Sequence, residues 1–310
     1  MKKNQLCMHL HHYAIWVNDV DKAMARYGIL LGLHGEKIDG RGVMRCMHED
    51  FCLVLDPVPA GGTPSLNYVA YELMPSLTLD EASTELAKRG ASPEIIDVPL
   101  RGKGLMVSDP DGNRNVLIER KPPVDRRPPI MIETQTLSGF HPRRFDHVNY
   151  LTADTKRAFK WYSEVLGFQL TDWIGEDAFW MHIDAQHHVI AFLNKGYNHI
   201  HHVAFSYVDF GEIRQTLDHL GKHGKYVTWG PLRHGMAQNL AVYWRMEEEE
   251  MFIELCTDMQ ILEADHEPVV HPDNPYSSNT WGILPPRSYF KFDAESVEKE
   301  RQSLHSMVHV

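Results

Sequence analysis

The chain repeats itself at an offset of 135 residues, so whatever it folds into must be built from one supersecondary unit used twice. His12-Tyr-Ala-Ile-Trp-Val-Asn-Asp19 lies over His147-Val-Asn-Tyr-Leu-Thr-Ala-Asp154, and without a gap Ala23 meets Ala158, Tyr27 meets Tyr162, and Leu31-Gly32 meets Leu166-Gly167. The same offset places Glu119 on Glu254, since 254 − 119 = 135. In between, at an offset of 134, Val69-Ala70 meets Val203-Ala204 and Tyr68 stands opposite His202. The second copy thus offers His147, His202 and Glu254, and the first offers His12, Tyr68 and Glu119. Two imidazoles and a carboxylate suit a non-haem Fe(II) site with open positions. A phenol with an ordinary pKa near 10 replaces one of them badly at neutral pH. The second copy reads as the working one. The first reads as silent, with His12, Tyr68 and Glu119 expected to satisfy one another as a buried polar trio without metal.

A length of 310 residues accommodates two modules, each with its own core. The net charge of −11 argues against a nucleic-acid or anionic-membrane binder. No apolar run approaches the roughly 18–20 residues that span a bilayer, and the N-terminal text has no secretory h-region. Four cysteines without a CxxC pair suit a reducing, cytoplasmic setting.

Each unit reads as a strand, a helix and further strands. The first strands are Tyr13–Val17 and Val148–Leu151. Helices follow over 21–31 and 155–166, with Asp19 or Asp154 placed to cap and Gly32 or Gly167 placed to end them. The second unit continues with strands Phe179–Ile183, His188–Leu193 and Val203–Tyr207, a helix over 209–223, and strands Leu240–Met246 and Met251–Leu255. The first closes with a turn at Asp109-Pro-Asp-Gly112 and the strand Val116–Glu119. The expected fold class is α+β. Its divisions are a non-catalytic module at 1–122, a Pro-rich linker at 123–144, a catalytic module at 145–265 and a tail at 266–310. Tyr276, Trp281 and Tyr289 make the tail a lid or an oligomer contact. Trp161 and Tyr162 are expected in the core or between modules. The run Met246-Glu-Glu-Glu-Glu250 is expected to be a solvated hairpin tip.

Taken singly, His147, His202 and Glu254 could each be an ordinary core or surface residue. In matching places of a duplicated unit they point to one metal. Glu254 weighs most, because a carboxylate in an Ile-Glu-Leu strand is costly to bury without a cation.

These residues resemble the type I extradiol ring-cleaving dioxygenases of the vicinal oxygen chelate superfamily, and the resemblance runs through residue 260. It implies a two-module fold, each module a pair of βαβββ units curving a sheet around a pocket. It also implies Fe(II), less often Mn(II), in the second module alone. On that resemblance His147 in Phe-Asp-His-Val, His202 in His-His-Val-Ala-Phe and Glu254 in Phe-Ile-Glu-Leu are the ligands. His188 in His187-His188-Val-Ile-Ala-Phe192 matches the acid–base histidine, with His187 next in line. His234 in Arg233-His234-Gly and Tyr243 match the residues that hold the substrate oxygen. The family's DPDG-like turn before the glutamate is replaced here by the acidic run, one residue longer.

The implied reaction is O2-dependent cleavage of a catecholic ring beside its diol, by a homo-oligomer acting on a small aromatic diol. A glyoxalase-like isomerase or thiol transferase would build its site from both modules, which Tyr68 and the set His188, His234 and Tyr243 oppose. A metal-free ligand-binding or resistance protein would not need His202 with Glu254.

Overall fold

The computed structural model describes residues 4–47, 50–121 and 141–290, with Glu298 and Gln302. Most of the expected linker and the end of the tail lie outside the described residues.

The first module runs β1 (Cys7–Val17), α1 (Val20–Leu31), β2 (His34–Ile38), β3 (Arg41–Arg45) and β4 (Leu53–Pro57). It then repeats the series as β5 (Ser65–Leu73), α2 (Leu79–Lys88), β6 (Glu94–Val98), β7 (Gly102–Ser108) and β8 (Arg114–Ile118). The second module opens with β9 (Arg144–Thr152), α3 (Thr155–Trp161, continued by a π turn over Tyr162–Leu166), β10 (Gln169–Ile174), β11 (Ala178–His182) and β12 (Ile190–Asn194). It closes with β13 (His199–Ser206), α4 (Phe210–Lys222), β14 (Val227–His234), β15 (Leu240–Met246) and β16 (Met251–Thr257). Each module is therefore a pair of βαβββ units, as expected. The sheet orders are β2-β3-β4-β1-β5-β8-β7-β6 and β10-β11-β12-β9-β13-β16-β15-β14, and each pair joins through antiparallel first strands. Two tail strands extend the second sheet, β17 (Val269–His271) beside β10 and β18 (Asn279–Trp281) beside β14. No helix among the described residues is long and apolar enough to cross a membrane.

Local chemistry sets the helix ends. Asp19, Asp154 and Asp209 each accept a backbone N–H at the N-terminus of their helix. Gly167 ends the π turn in the left-handed region at φ 76°, and a Cβ there would lie 2.1 Å from the Asn4 carbonyl oxygen. A side chain would therefore force the N-terminal segment of the first module away from the second, where Leu6 N–H donates to Leu166 O.

The modules clasp each other reciprocally. In each, the tip between the last two strands reaches the first helix of the other. Tyr162 Oη donates to Asp109 Oδ2 at 3.1 Å, and Arg157 pairs with Asp111. In the mirror contact, Tyr27 Oη donates to Glu249 Oε2 at 3.4 Å and Arg26 pairs with the same carboxylate. Two expectations are corrected here. The run at 246–250 is not a wholly solvated tip, because Glu249 is buried and docks on α1. Burial pushes its carboxyl up to about 7 despite Arg26. The Asp-Pro-Asp-Gly turn is likewise more than a turn.

Candidate metal centre

Three neighbouring strands of the second sheet carry the three expected ligands. Ala204 on β13 pairs with His147 on β9 and with Glu254 on β16. Paired residues project to one face, as do residues two apart on a strand, so His202 joins them. Glu254 Oε2 lies 3.1 Å from His147 Nε2 and 3.1 Å from His202 Nε2, and the two nitrogens are 3.3 Å apart. Edges of about 3 Å are those of adjacent positions around one ion with bonds of about 2.1 Å. Two imidazole nitrogens and one carboxylate oxygen, all buried, therefore fit a divalent first-row metal. The opposite atoms are already engaged. His147 Nδ1 meets Asp146 Oδ1 at 2.9 Å, Asn239 Nδ2 donates to Glu254 Oε1 at 3.0 Å, and His202 Nδ1 meets His201 Nδ1 at 2.7 Å.

Charge balance favours a cation at this point. Burial by itself would raise the Glu254 carboxyl, but His147 and His202 hold it well below the usual carboxylate range. Burial works to lower His147 too, yet the Glu254 charge and the Asp146 hydrogen bond push it up to about 9. For His202 burial prevails over Glu254 and lowers it to about 4. Without metal, a proton on His147 takes the place of the cation.

The three further expected residues line the same cavity. His188 sits just ahead of β12 rather than within it, its ring centroid 4.3 Å from that of His147. Burial, reinforced by His147, pushes it well below the ordinary imidazole value. His234 Nδ1 donates to Ser278 O at 2.9 Å, which leaves Nε2 as an acceptor for Tyr243 Oη at 2.8 Å. Burial, aided by Glu254, keeps the Tyr243 proton in place well above the ordinary phenol value.

Other residues of the site were not anticipated. Asn149, two positions past His147 on the same face of β9, lines the cavity with its buried Oδ1 unpartnered. Strand alternation could have found it. Asp146 and Asn239 brace His147 and Glu254 from positions without a distinctive pattern. Trp229 stacks on Tyr243 at 5.2 Å, and Tyr289 meets Tyr243 edge-on at 5.0 Å. Of the tail aromatics, Tyr289 thus covers the cavity. Tyr276 and Trp281, 82% and 47% exposed, face away, so their expected part in a lid is withdrawn.

The first module repeats this geometry with the chemistry removed. His12 pairs with Ala70 and Ala70 with Val116, so the counterpart of Glu254 is Val116, not Glu119. The ungapped offset misled because 254 − 202 = 52 residues separate His202 and Glu254, whereas 116 − 68 = 48 separate Tyr68 and Val116. Glu119 lies beyond β8, exposed, and accepts from Leu79 N–H. The expected trio is therefore only a pair, His12 Nε2 and Tyr68 Oη at 3.3 Å. By the same strand pairing Phe51 stands for His188, Met106 for Tyr243 and Val98 for His234. All three belong with Tyr68 and Val116 to one buried apolar cluster. Phe51→Ala, which opens that cluster at a fully buried ring, is expected to destabilise by about 3–5 kcal/mol in urea unfolding. Glu119→Gln should shift stability by no more than about 0.5 kcal/mol, the ordinary range for a surface change. Metal content should be untouched in both.

The Glyoxalase/Bleomycin resistance protein/Dioxygenase superfamily matches residues 144–250. A protein named metapyrocatechase 2 from Cupriavidus necator is 26% identical over 58% of this chain and 60% of its own length. Metapyrocatechase from Geobacillus stearothermophilus is 23% identical over 88% of each chain. Among solved structures, the anaerobic complex of homoprotocatechuate 2,3-dioxygenase from Brevibacterium fuscum with 3,4-dihydroxyphenylacetate superposes with a TM-score of 0.81 at 24% identity, over 93% of both chains.

Proposed function

We infer that this chain, whose residues 144–250 match the Glyoxalase/Bleomycin resistance protein/Dioxygenase superfamily, is an extradiol dioxygenase that cleaves a catecholic ring beside its diol with O2. A superfamily of isomerases, binding proteins and oxygenases does not fix the activity, so the site must. The observation that carries the reading is one cavity, built from one module and its tail, that holds the ligand triangle beside His188, His234 and Tyr243. A glyoxalase-like site drawn from both modules would need first-module donors where Val116, Phe51 and Met106 stand. The metapyrocatechase relatives support the same reading.

His147 Nε2, His202 Nε2 and Glu254 Oε2 would hold Fe(II), with Mn(II) as the second choice for the same donors. When bound, the ion would supply Lewis acidity toward a chelated diol and a place for O2. The side chains do the rest. Neutral His188 offers a nitrogen that accepts a proton from the diol and can return it to an oxygen later. Tyr243 and His234 present a hydroxyl and an imidazole already hydrogen-bonded to each other, ready to hold a substrate oxygen. Trp229, Tyr289 and Met236 exclude water from the ring. No lysine or arginine lines the cavity among the described residues, which supports a diol with an uncharged substituent. We further propose a cytoplasmic setting, in which buried thiols such as Cys7 and Cys256 stay reduced. Exposed Tyr276, Trp281, Ile283 and Leu284 support self-association through the tail.

Protein purified without air and loaded with Fe(II) is expected to consume O2 with catechol or 4-methylcatechol and to form a yellow ring-opened product. Folded, iron-loaded protein that consumes no O2 with any catechol overturns the reading.

Metal binding should release the proton of His147. The apparent affinity of metal-stripped protein for a divalent ion is expected to rise about tenfold per pH unit up to about 9, then level off. Titration calorimetry in buffers of different ionisation enthalpy measures this, and a flat profile between pH 7 and 9 would refute it. The sign for stability is opposite. The folded value lies above the ordinary one, so the His147 contribution to the metal-free fold is complete below pH 6.5 and is lost as pH rises through about 9.

A further inference from the structure

Three adjacent histidine pairs occur in the chain, His11-His12, His187-His188 and His201-His202. In each pair the rings meet Nδ1 to Nδ1, at 2.7, 3.1 and 2.7 Å respectively. All six are buried, which disfavours the charged form. A neutral imidazole has one N–H and one lone pair. In a pair joined through Nδ1, one ring must therefore donate and the other accept. The group at the outer ring's Nε2 decides which.

We propose that His187 and His201 are positioning residues, each passing on the polarity of a distant acceptor and so fixing the tautomer of His188 and His202. His201 Nε2 lies 2.6 Å from the Tyr289 carbonyl oxygen, which can only accept. The hydrogen of His201 is therefore on Nε2 and its Nδ1 is bare. His202 Nδ1–H donates to it, and the lone pair of His202 stays on Nε2, the atom at the ligand triangle. His187 Nε2 lies 3.1 Å from the Asp172 Oδ2 carboxylate oxygen, another pure acceptor. The same reasoning leaves His188 with its hydrogen on Nδ1 and its Nε2 bare. Asp172 is itself held by the tail, through Val269 N–H at 3.1 Å and His271 Nε2 at 3.1 Å.

The first module runs the device backwards. The outer partner of His11 Nε2 is the Arg101 guanidinium, which can only donate. His11 Nδ1–H then donates to His12, and His12 carries its hydrogen on Nε2, where it donates to Tyr68 Oη. A protonated Nε2 offers no lone pair to a metal. The silent module is thus silent in tautomer as well as in ligand count.

The part assigned to His188 rests on the function proposed above; the tautomer itself does not. Asp172→Asn is the isosteric test. Val269 N–H holds the amide oxygen on its own side, so the amide NH2 turns to His187 Nε2 and reverses the pair. On metal-free, 15N-labelled protein, two-bond 1H–15N correlations should show His188 switched from Nδ1–H to Nε2–H. In the iron enzyme kcat should fall about 10²-fold, while KM changes by less than about threefold and iron content holds. His187→Asn keeps an acceptor oxygen near the Nδ1 position and should keep the native tautomer and most of kcat, whereas His187→Leu should lose both. That second comparison decides the matter if Asp172→Asn does not fold. For the ligand pair, His201→Leu should weaken metal binding about 10–100-fold. An unchanged His188 tautomer in Asp172→Asn, or full kcat in His187→Leu, overturns the proposal. A switched tautomer in a protein that cleaves no diol would sink the functional reading and leave this one standing.

Discussion

Replacing Glu254 by alanine is expected to leave a folded chain that holds no metal and consumes no O2 with any catechol. The carboxylate supplies one of three donor atoms and all the negative charge at the triangle, so two neutral imidazoles remain to compete with water for the ion. Activity should fall by more than the roughly 10²-fold that follows loss of a supporting residue. The fold survives because the first module and the outer strands do not depend on this carboxylate. Asn239 Nδ2 is left without its acceptor and His147 Nε2 loses the carboxylate beside it, and an unmade buried hydrogen bond costs about 1–3 kcal/mol. Metal analysis after dialysis, paired with urea unfolding, makes the measurement. Full metal content in Glu254→Ala would show that the ion, if any, sits elsewhere.

His188→Phe has the second-largest expected effect, and the molecule already contains the control for its packing. Phe51 occupies the corresponding place in the first module, its ring centroid 4.5 Å from that of His12. A phenyl ring is thus compatible with this corner of the fold. The variant should keep metal and bind diol, while kcat drops by roughly 10²–10⁴-fold, the range for loss of a general acid–base group. Stopped-flow measurements that separate diol binding from turnover would locate the loss. Near-normal kcat would pass the role to another imidazole, with His187 or His234 the next to test.

The triangle of candidate donors was legible because chemistry and repeat coincide: His147 and His202 sit at the strand positions that the duplication marks, and Glu254 interrupts an apolar strand. The helix ends were legible for a local reason, since Asp19, Asp154 and Gly167 need only their neighbours to act. Glu119 shows where this kind of reading stops. Two glutamates at one offset look equivalent, but the stretch from β5 to β8 is shorter than that from β13 to β16, and only strand pairing reveals Val116 as the true counterpart. Glu249 was misread for a related reason. In a run of four acids nothing marks the one that faces Arg26 and Tyr27, because the partner lies 222 residues away. The tail gave a composition and not a geometry: Tyr289 turns in and Tyr276 turns out, as decided by β18 pairing with β14. Strand β14 itself went unanticipated. Its alternation is broken by the Gly230-Pro231 step, and it lies near the sheet's edge, where burial leaves little pattern.

The reciprocal clasp has a consequence for how such a chain tolerates change. If the two halves were separate identical subunits, Glu249 and Asp109 would have to be one residue, and every substitution would appear on both sides of the contact. Joined in one chain, the halves meet at an effective concentration that dilution cannot lower, so their association is insulated from protein abundance. Symmetry is then free to break. One half can fill its cavity with Phe51, Met106 and Val116 and act as a rigid bed, while the other keeps a costly, charged hollow open against it.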